Sequence, residues 1–259
     1  MPTISVIIPT YNSAKTLRRA IKSVKDADEI IVVDDASIDK TQDVLKDLSN
    51  KYGNLIYVRN EKNIGPYKSR FSGIDIATSD WITFLDADDT VSFHAIQKIK
   101  DFLDSEPTTD VLQMQIRWSI TSLRLPYSIK NKYQTNQALD ACLYDDSIFP
   151  IHCCGKVYKT KLLKKTAYIE SNVRWGEDRL FNLAIMAKKP RIHIDKSIKY
   201  CYTYHKQGLS NGASIENDIK EVSRLKVEWC KENGLEQHVP LIERECSFLL
   251  DYVQHKTVK

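Results

Sequence analysis

Two aspartates one residue apart, Asp86 and Asp88, follow the apolar run from Trp81 to Leu85. Alternate residues leaving a strand project to the same side, so both carboxylates can meet one ligand. Hard carboxylate oxygens with no thiolate beside them suit Mn2+ or Mg2+. Three earlier apolar runs also end in polar residues: Pro9-Thr10-Tyr11-Asn12, Asp34-Asp35 and Arg59-Asn60-Glu61-Lys62-Asn63. An aromatic face, several carboxylates and basic groups are what a nucleotide diphosphate with a metal requires. Taken singly, each residue also has a plain structural reading. Tyr11 can cap a sheet, Asp35 can cap the next helix, and Arg70 can sit exposed on a helix.

The elements that must position these residues follow from hydrophobic periodicity. Ile4 to Ile8, Ile30 to Val33, Leu55 to Val58 and Trp81 to Leu85 are short β-forming runs and read as buried parallel strands. Between them, Ala14, Leu17, Ile21 and Val24 recur at helical spacing, as do Val44, Leu45 and Leu48. Further helices are expected from about 66 to 77 and from Ser92 to Leu103. The order β-α-β-α-β-α-β-α predicts an open, doubly wound sheet, whose ligands lie outside the carboxyl ends of its strands. That rule places all four polar strand ends at one mouth. From about 106 the alternation stops. Strand signals return at Val111 to Trp118, Ile192–Ile194 and Ile198–Tyr204, helix signals follow Gly176, and two amphipathic helices close the chain at roughly 215–232 and 240–255.

Composition excludes several classes. The chain has 259 residues, 38 Lys plus Arg against 34 Asp plus Glu, and 42% hydrophobic residues, a globular profile. A net charge of +4 does not point to nucleic acid. Neither G-x-G-x-x-G nor G-x-x-x-x-G-K-[ST] occurs, so a phosphate site needs another device. Six cysteines without a C-x-x-C pair, and a start lacking a charged n-region, lead to the expectation of reduced thiols in the cytoplasm. Every apolar run is too short to span a bilayer. Five lysines between 156 and 165, with no acid from 151 to 169, read by default as a solvated helix face. Peripheral docking on anionic lipid at the inner face of the membrane is the alternative. Cys153-Cys154 reads as buried packing.

Four ordered blocks, S-V-I-I-P-T-Y-N at 5–12, E-I-I-V-V-D-D-A-S-I-D-K-T at 29–41, N-I-G-P-Y-K-S-R at 63–70 and W-I-T-F-L-D-A-D-D at 81–89, resemble the inverting nucleotide-sugar glycosyltransferases of family 2. Shorter blocks, G-K-V-Y-K at 155–159, G-E-D-R-L-F-N at 176–182 and Y-C-Y-T-Y-H-K at 200–206, resemble the acceptor side of bacterial members. The resemblance implies an α/β fold of the glycosyltransferase A type: a doubly wound, mostly parallel sheet flanked by helices, here with a C-terminal helical extension. It divides the chain into a donor-binding half (1–105), an acceptor-binding half of the same catalytic domain (106–212) and a helical tail (213–259).

The resemblance also implies roles. Thr10 and Tyr11 would hold base and ribose, Asp35 the base edge, Arg70 the donor, and Asp86 the ribose. Asp88 would bind the metal, Mn2+ or Mg2+, with His205 as a further contact and Lys206 beside it. Asp178 would be the general base, Glu177 would orient the acceptor, and Trp175 would offer it a stacking face. The expected partners are a nucleotide-sugar donor, a UDP-sugar, and a hydroxyl of a surface glycan or lipid-linked oligosaccharide. The last two helices either pack on the core or form a homodimer contact. The competing readings are a sugar-phosphate nucleotidyltransferase and a nucleotide-sugar-binding module without catalysis.

Overall fold

The computed structural model describes residues 1–118, 135–144, 152–203 and 215–256. The first unit is the expected alternation: β1 (Ile4–Thr10), α1 (Leu17–Ser23), β2 (Glu29–Asp34), α2 (Thr41–Lys51), β3 (Leu55–Arg59), α3 (Gly65–Ile76) and β4 (Trp81–Phe84). The two-residue β5 (Thr90–Val91) and α4 (Ala95–Ser105) follow. β1, β2 and β4 are buried at every position, as runs of Ile and Val covered by helices on both faces must be. β3 departs from expectation. It is an edge strand, with Ile56 and Tyr57 exposed, because only β2 pairs with it. α4 also starts three residues later than expected, since His94 sits at φ 56, outside the helical region.

The strand order is β3-β2-β1-β4-β7-β6-β8-β5. The left half is parallel, and its register brings Thr10 level with Asp34 and Asp34 level with Arg59, so the carboxyl ends form one rim. β7 (Lys156–Lys159) then enters antiparallel between β4 and β6 (Val111–Trp118). β8 (Ile192–Tyr202) lies parallel to β6, with a register shift at Met114/Gln115 that bends it. β5 pairs antiparallel with the end of β8, through Thr90–Cys201 and Val91–Tyr200. The aspartate loop at 86–89 is thereby tied to the strand that leads into 204–214. One sheet therefore runs through residues from both expected halves of the chain.

Helices α5 (Thr135–Leu143), α6 (Thr160–Lys164) and α7 (Glu177–Met186) cover the second half, and α8 (Ile215–Glu232) and α9 (Val239–Lys256) form the C-terminal extension. α8 and α9 are anchored through buried charges. Glu245 of α9 pairs with Arg179 of α7 and with Lys226 of α8 at 2.6 Å, and Lys226 also donates to the Leu143 carbonyl. A buried Lys and Arg sharing one carboxylate hold this geometry tightly, because losing the anion would strand two desolvated cations. Packing beneath the rim is close. A Cβ on Gly73 of α3 would lie 2.4 Å from Ile7 Cγ2 of β1, so the helix meets the sheet at this distance only without a side chain there.

The lysine run does not form one solvated helix face. Lys156 lies on β7, fully buried, and donates to the His152 carbonyl at 2.5 Å. Lys159 donates to the Thr109 carbonyl and Lys164 to the Ala77 carbonyl. The spacing mixes a strand with a short helix, and several ammonium groups serve the fold. Among the described residues, no helix is long and apolar enough to cross a membrane.

Candidate active site

The rim begins with two loops laced together. Asn12 and Ala36, just beyond β1 and β2, both take left-handed backbone conformations (φ 50 and 61). Ser37 Oγ accepts from the Asn12 N–H, and Asn12 Oδ1 accepts from the Ile38 N–H. This holds Tyr11 with 46% of its surface exposed, an open aromatic face. Thr10 is buried, and its hydroxyl has no hydrogen-bond partner among the described residues. Asp35 is buried and accepts from Asn60 Nδ2 (2.8 Å) and from the backbone N–H groups of Ile64 (2.9 Å) and Gly65 (2.8 Å). It therefore closes the 60–65 loop and caps the start of α3, rather than the helix that follows it in sequence.

At the centre lies Arg70 of α3, whose side chain is only 4% exposed. Its guanidinium reaches Asp86 at 3.2 Å, Asp178 at 3.4 Å and Glu177 at 3.5 Å. Three elements thus converge on one buried cation: the helix after β3, the loop after β4 and the first turn of α7. Burial pushes Glu177 up, to about 8, and repulsion from Asp178 adds to it while Arg70 opposes. Burial would also raise Asp178, but Arg70, His152 and the Cys153 thiol override it and hold that carboxyl far below its ordinary value. Adjacent carboxylates in unlike surroundings are thereby split into an ionised and a protonatable member.

The aspartate loop divides its labour. Asp86 is 35% exposed and faces Arg70. Asp89 is fully buried and accepts from the Tyr200 hydroxyl and the Thr203 N–H, both at 2.6 Å. Burial, with Asp86 nearby, raises Asp89 to about 7. Asp89 is therefore the brace of the loop, joined by Arg19 of α1, which donates to the Asp88 carbonyl and to Thr203. Asp88, half-buried, stands between them at the rim. Among the described residues, no three His, Cys, Asp or Glu side chains form a complete metal cage. One carboxylate completed by phosphate oxygens and water is a usual arrangement for Mg2+, and the Asp88 donor fits it.

The structure thus brings Arg70, Asp86, Glu177 and Asp178 together, and it places Thr10, Tyr11, Asp35 and Asp88 just at or beyond the carboxyl ends of the neighbouring strands β1, β2 and β4. His205 and Lys206 lie outside the described residues. Trp175 belongs to the loop before α7, where its N–H donates to Asp218 of α8. Sequence reasoning missed Asp89 with Tyr200, and it missed His152 and Cys153. Cys153 is buried, as expected, but it also donates to Asp178 Oδ1 at 2.6 Å, while His152 Nδ1 stands 3.5 Å from Asp178 Oδ2. The only early signal for Tyr200 was its place in the tyrosine-rich block.

With this geometry in place, comparison with known proteins is decisive about the family. The family model described as glycosyl transferase family 2 matches residues 5–166. The chain belongs to glycosyl transferase family 2. This family 2 protein is 26% identical over 212 residues to the minor teichoic acid biosynthesis protein GgaA of Bacillus subtilis (strain 168), covering 78% of this chain and 47% of that one. It is 27% identical over 234 residues to the poly(ribitol-phosphate) beta-N-acetylglucosaminyltransferase TarS of Staphylococcus aureus (strain Mu50), covering 87% and 40%. The chain thus spans less than half the length of these relatives. A crystal structure of S. aureus TarS 1-349 in complex with UDP superposes with a TM-score of 0.70 at 26% identity, covering 92% of this chain and 69% of that one. The family assignment sets aside the nucleotidyltransferase alternative.

Proposed function

We propose that this family 2 protein transfers a sugar, with inversion, from a UDP-sugar to a hydroxyl of a surface glycan or lipid-linked acceptor. The observation that carries the reading is Arg70, which gathers a rim carboxylate of the donor half and two carboxylates of the acceptor half within 3.5 Å. The relatives' names, a teichoic acid biosynthesis protein and a poly(ribitol-phosphate) beta-N-acetylglucosaminyltransferase, support a polyol-phosphate or glycan acceptor. The neighbour solved with UDP supports the donor class.

In this reading Tyr11 stacks on the base, the unpartnered Thr10 hydroxyl and Asp86 meet the ribose, and Asp35 shapes the pocket floor while facing the base edge. Arg70 offers its remaining donors to the donor sugar-diphosphate and keeps Asp178 ionised. Asp178 accepts the proton of the acceptor hydroxyl as its oxygen bonds to the anomeric carbon and the bond to the diphosphate breaks. Glu177 orients the acceptor. Asp88, with His205, would hold Mn2+ or Mg2+, which supplies positive charge for the departing diphosphate.

Calorimetry with UDP-N-acetylglucosamine and UDP-glucose, with and without Mn2+, tests the reading. Wild-type protein is expected to bind a UDP-sugar more tightly with Mn2+, and Asp88→Ala to lose that increment. Metal-enhanced binding that survives Asp88→Ala refutes the metal assignment. Binding without any UDP release in a transfer assay leaves the non-catalytic module as the better description.

A further inference from the structure

His152 and Cys153 stand directly before β7, in the turn that leads into it. Gly155 turns the chain there with φ 74 and lies so close to β6 that an added Cβ would stand 3.1 Å from Ile116 Cγ1. Lys156, buried behind the turn, fixes the His152 carbonyl. The turn sets the two residues against the two oxygens of one carboxylate. Cys153 Sγ donates to Asp178 Oδ1 at 2.6 Å, on the side Arg70 also approaches at 3.4 Å. His152 Nδ1 faces Asp178 Oδ2 at 3.5 Å.

Exposure differs sharply along this line. The Cys153 thiol is fully buried, Asp178 is 18% exposed, and the His152 side chain is 53% exposed. We propose that His152 takes the proton from Asp178 Oδ2 and passes it to solvent, while Cys153 fixes the carboxylate for that hand-over. This rests on Asp178 being the acceptor-side base. The bookkeeping is closed. The acceptor O–H bond breaks as its oxygen bonds to the anomeric carbon, the diphosphate leaves with the electron pair, and the proton goes to Oδ2. It then moves to the lone pair of Nδ1, which requires the tautomer protonated at Nε2; the imidazolium loses its Nε2 proton to water, and exchange with solvent moves the remaining proton from Nδ1 back to Nε2 before the next turnover.

The surroundings explain why a relay is needed. A protonated Asp178 would forfeit its attraction to Arg70, so the proton does not rest there. Burial pushes the Cys153 thiol well up, with Asp178 reinforcing it, so it stays a donor and cannot receive the proton. Glu177 stands 3.5 Å from Arg70, and the Lys156 ammonium donates to the His152 carbonyl. The two nitrogens of an imidazole let it accept a proton at one and release a proton from the other. His152 is thus a relay residue acting through Asp178, and Cys153 a positioning residue.

The test measures UDP release from UDP-N-acetylglucosamine or UDP-glucose, whichever the wild type turns over, with water as acceptor. His152→Ala is expected to lower kcat by about 10- to 100-fold, less than the 10²–10⁴ of a direct general base, with KM for the donor unchanged. Added imidazole should restore much of the loss, because the position opens to solvent. His152→Gln should show the same loss without relying on the smaller side chain. A kcat within about twofold of wild type in both variants, or a loss that imidazole leaves untouched, overturns the relay. Wild-type protein that neither binds nor hydrolyses a UDP-sugar overturns the proposed function, and the relay falls with it.

Discussion

Replacing Arg70 with Met removes the guanidinium that faces Asp86, Glu177 and Asp178 at 3.2, 3.5 and 3.4 Å. Methionine fills much of the aliphatic volume, so the change is chiefly electrostatic. Removing one partner from a buried ion pair costs about 3–5 kcal/mol, because the remaining charge is left desolvated and uncompensated. For a chain of this size about 1 kcal/mol corresponds to 2–4 °C, so Arg70→Met should melt about 6–20 °C below wild type at pH 7.5. The deficit must also depend on pH. Without Arg70 the clustered carboxyls have folded-state pKa values raised above their unfolded ones, more so for Glu177, which is already raised to about 8 beside the arginine. Groups raised in this way favour the folded state at low pH and lose that contribution as pH rises through the folded value. Asp178, depressed in the wild type, works oppositely and favours the wild-type fold above the unfolded carboxylate range. The raised carboxyls make the deficit largest near pH 8 and smaller near pH 5, while the Asp178 contribution is already complete at pH 5 and constant across this range. Differential scanning calorimetry of wild type and Arg70→Met across this range reads it. An equal or larger deficit at pH 5 would refute the assignment of Arg70 as the charge that holds the cluster together.

Two further outcomes follow from the rim and its support. Tyr11→Ala should weaken UDP binding by about 5- to 150-fold, the 1–3 kcal/mol of a lost base stack, with little change in melting temperature because the ring is exposed; calorimetric titration checks it. Gly73→Ala should cost about 1–3 kcal/mol through overpacking against Ile7, and Gly73→Ala with Ile7→Ala should be less destabilising than the sum of the two, measured by urea denaturation.

The fold of the first hundred residues was legible because its signals are local. Short, mostly apolar runs rich in Ile and Val, such as Ile4 to Ile8, read as strands covered on both sides, and the rule for open sheets then places Tyr11, Asp35 and Asp86 at one mouth. Arg70 and Asp178 came from resemblance alone, since residues more than a hundred apart meet only through packing. The central β7 was not legible: Lys-Val-Tyr-Lys is four residues long and carries lysine at both ends. Its first lysine is buried because the His152 carbonyl offers it a partner, a contact no periodicity encodes. Asp89 looked like one more rim carboxylate, yet Tyr200 and Thr203 turn it inward. Cys153 was legible as packing, while its thiol bond to Asp178 depended on the turn at Gly155.

The most direct test of the central claim, that Asp178 is the group at which proton transfer from the acceptor occurs, is the rate of UDP release by Asp178→Asn beside its affinity for UDP. Asp178→Asn is expected to lose about 10²–10⁴ in kcat with UDP binding retained. Turnover at the wild-type rate would contradict it.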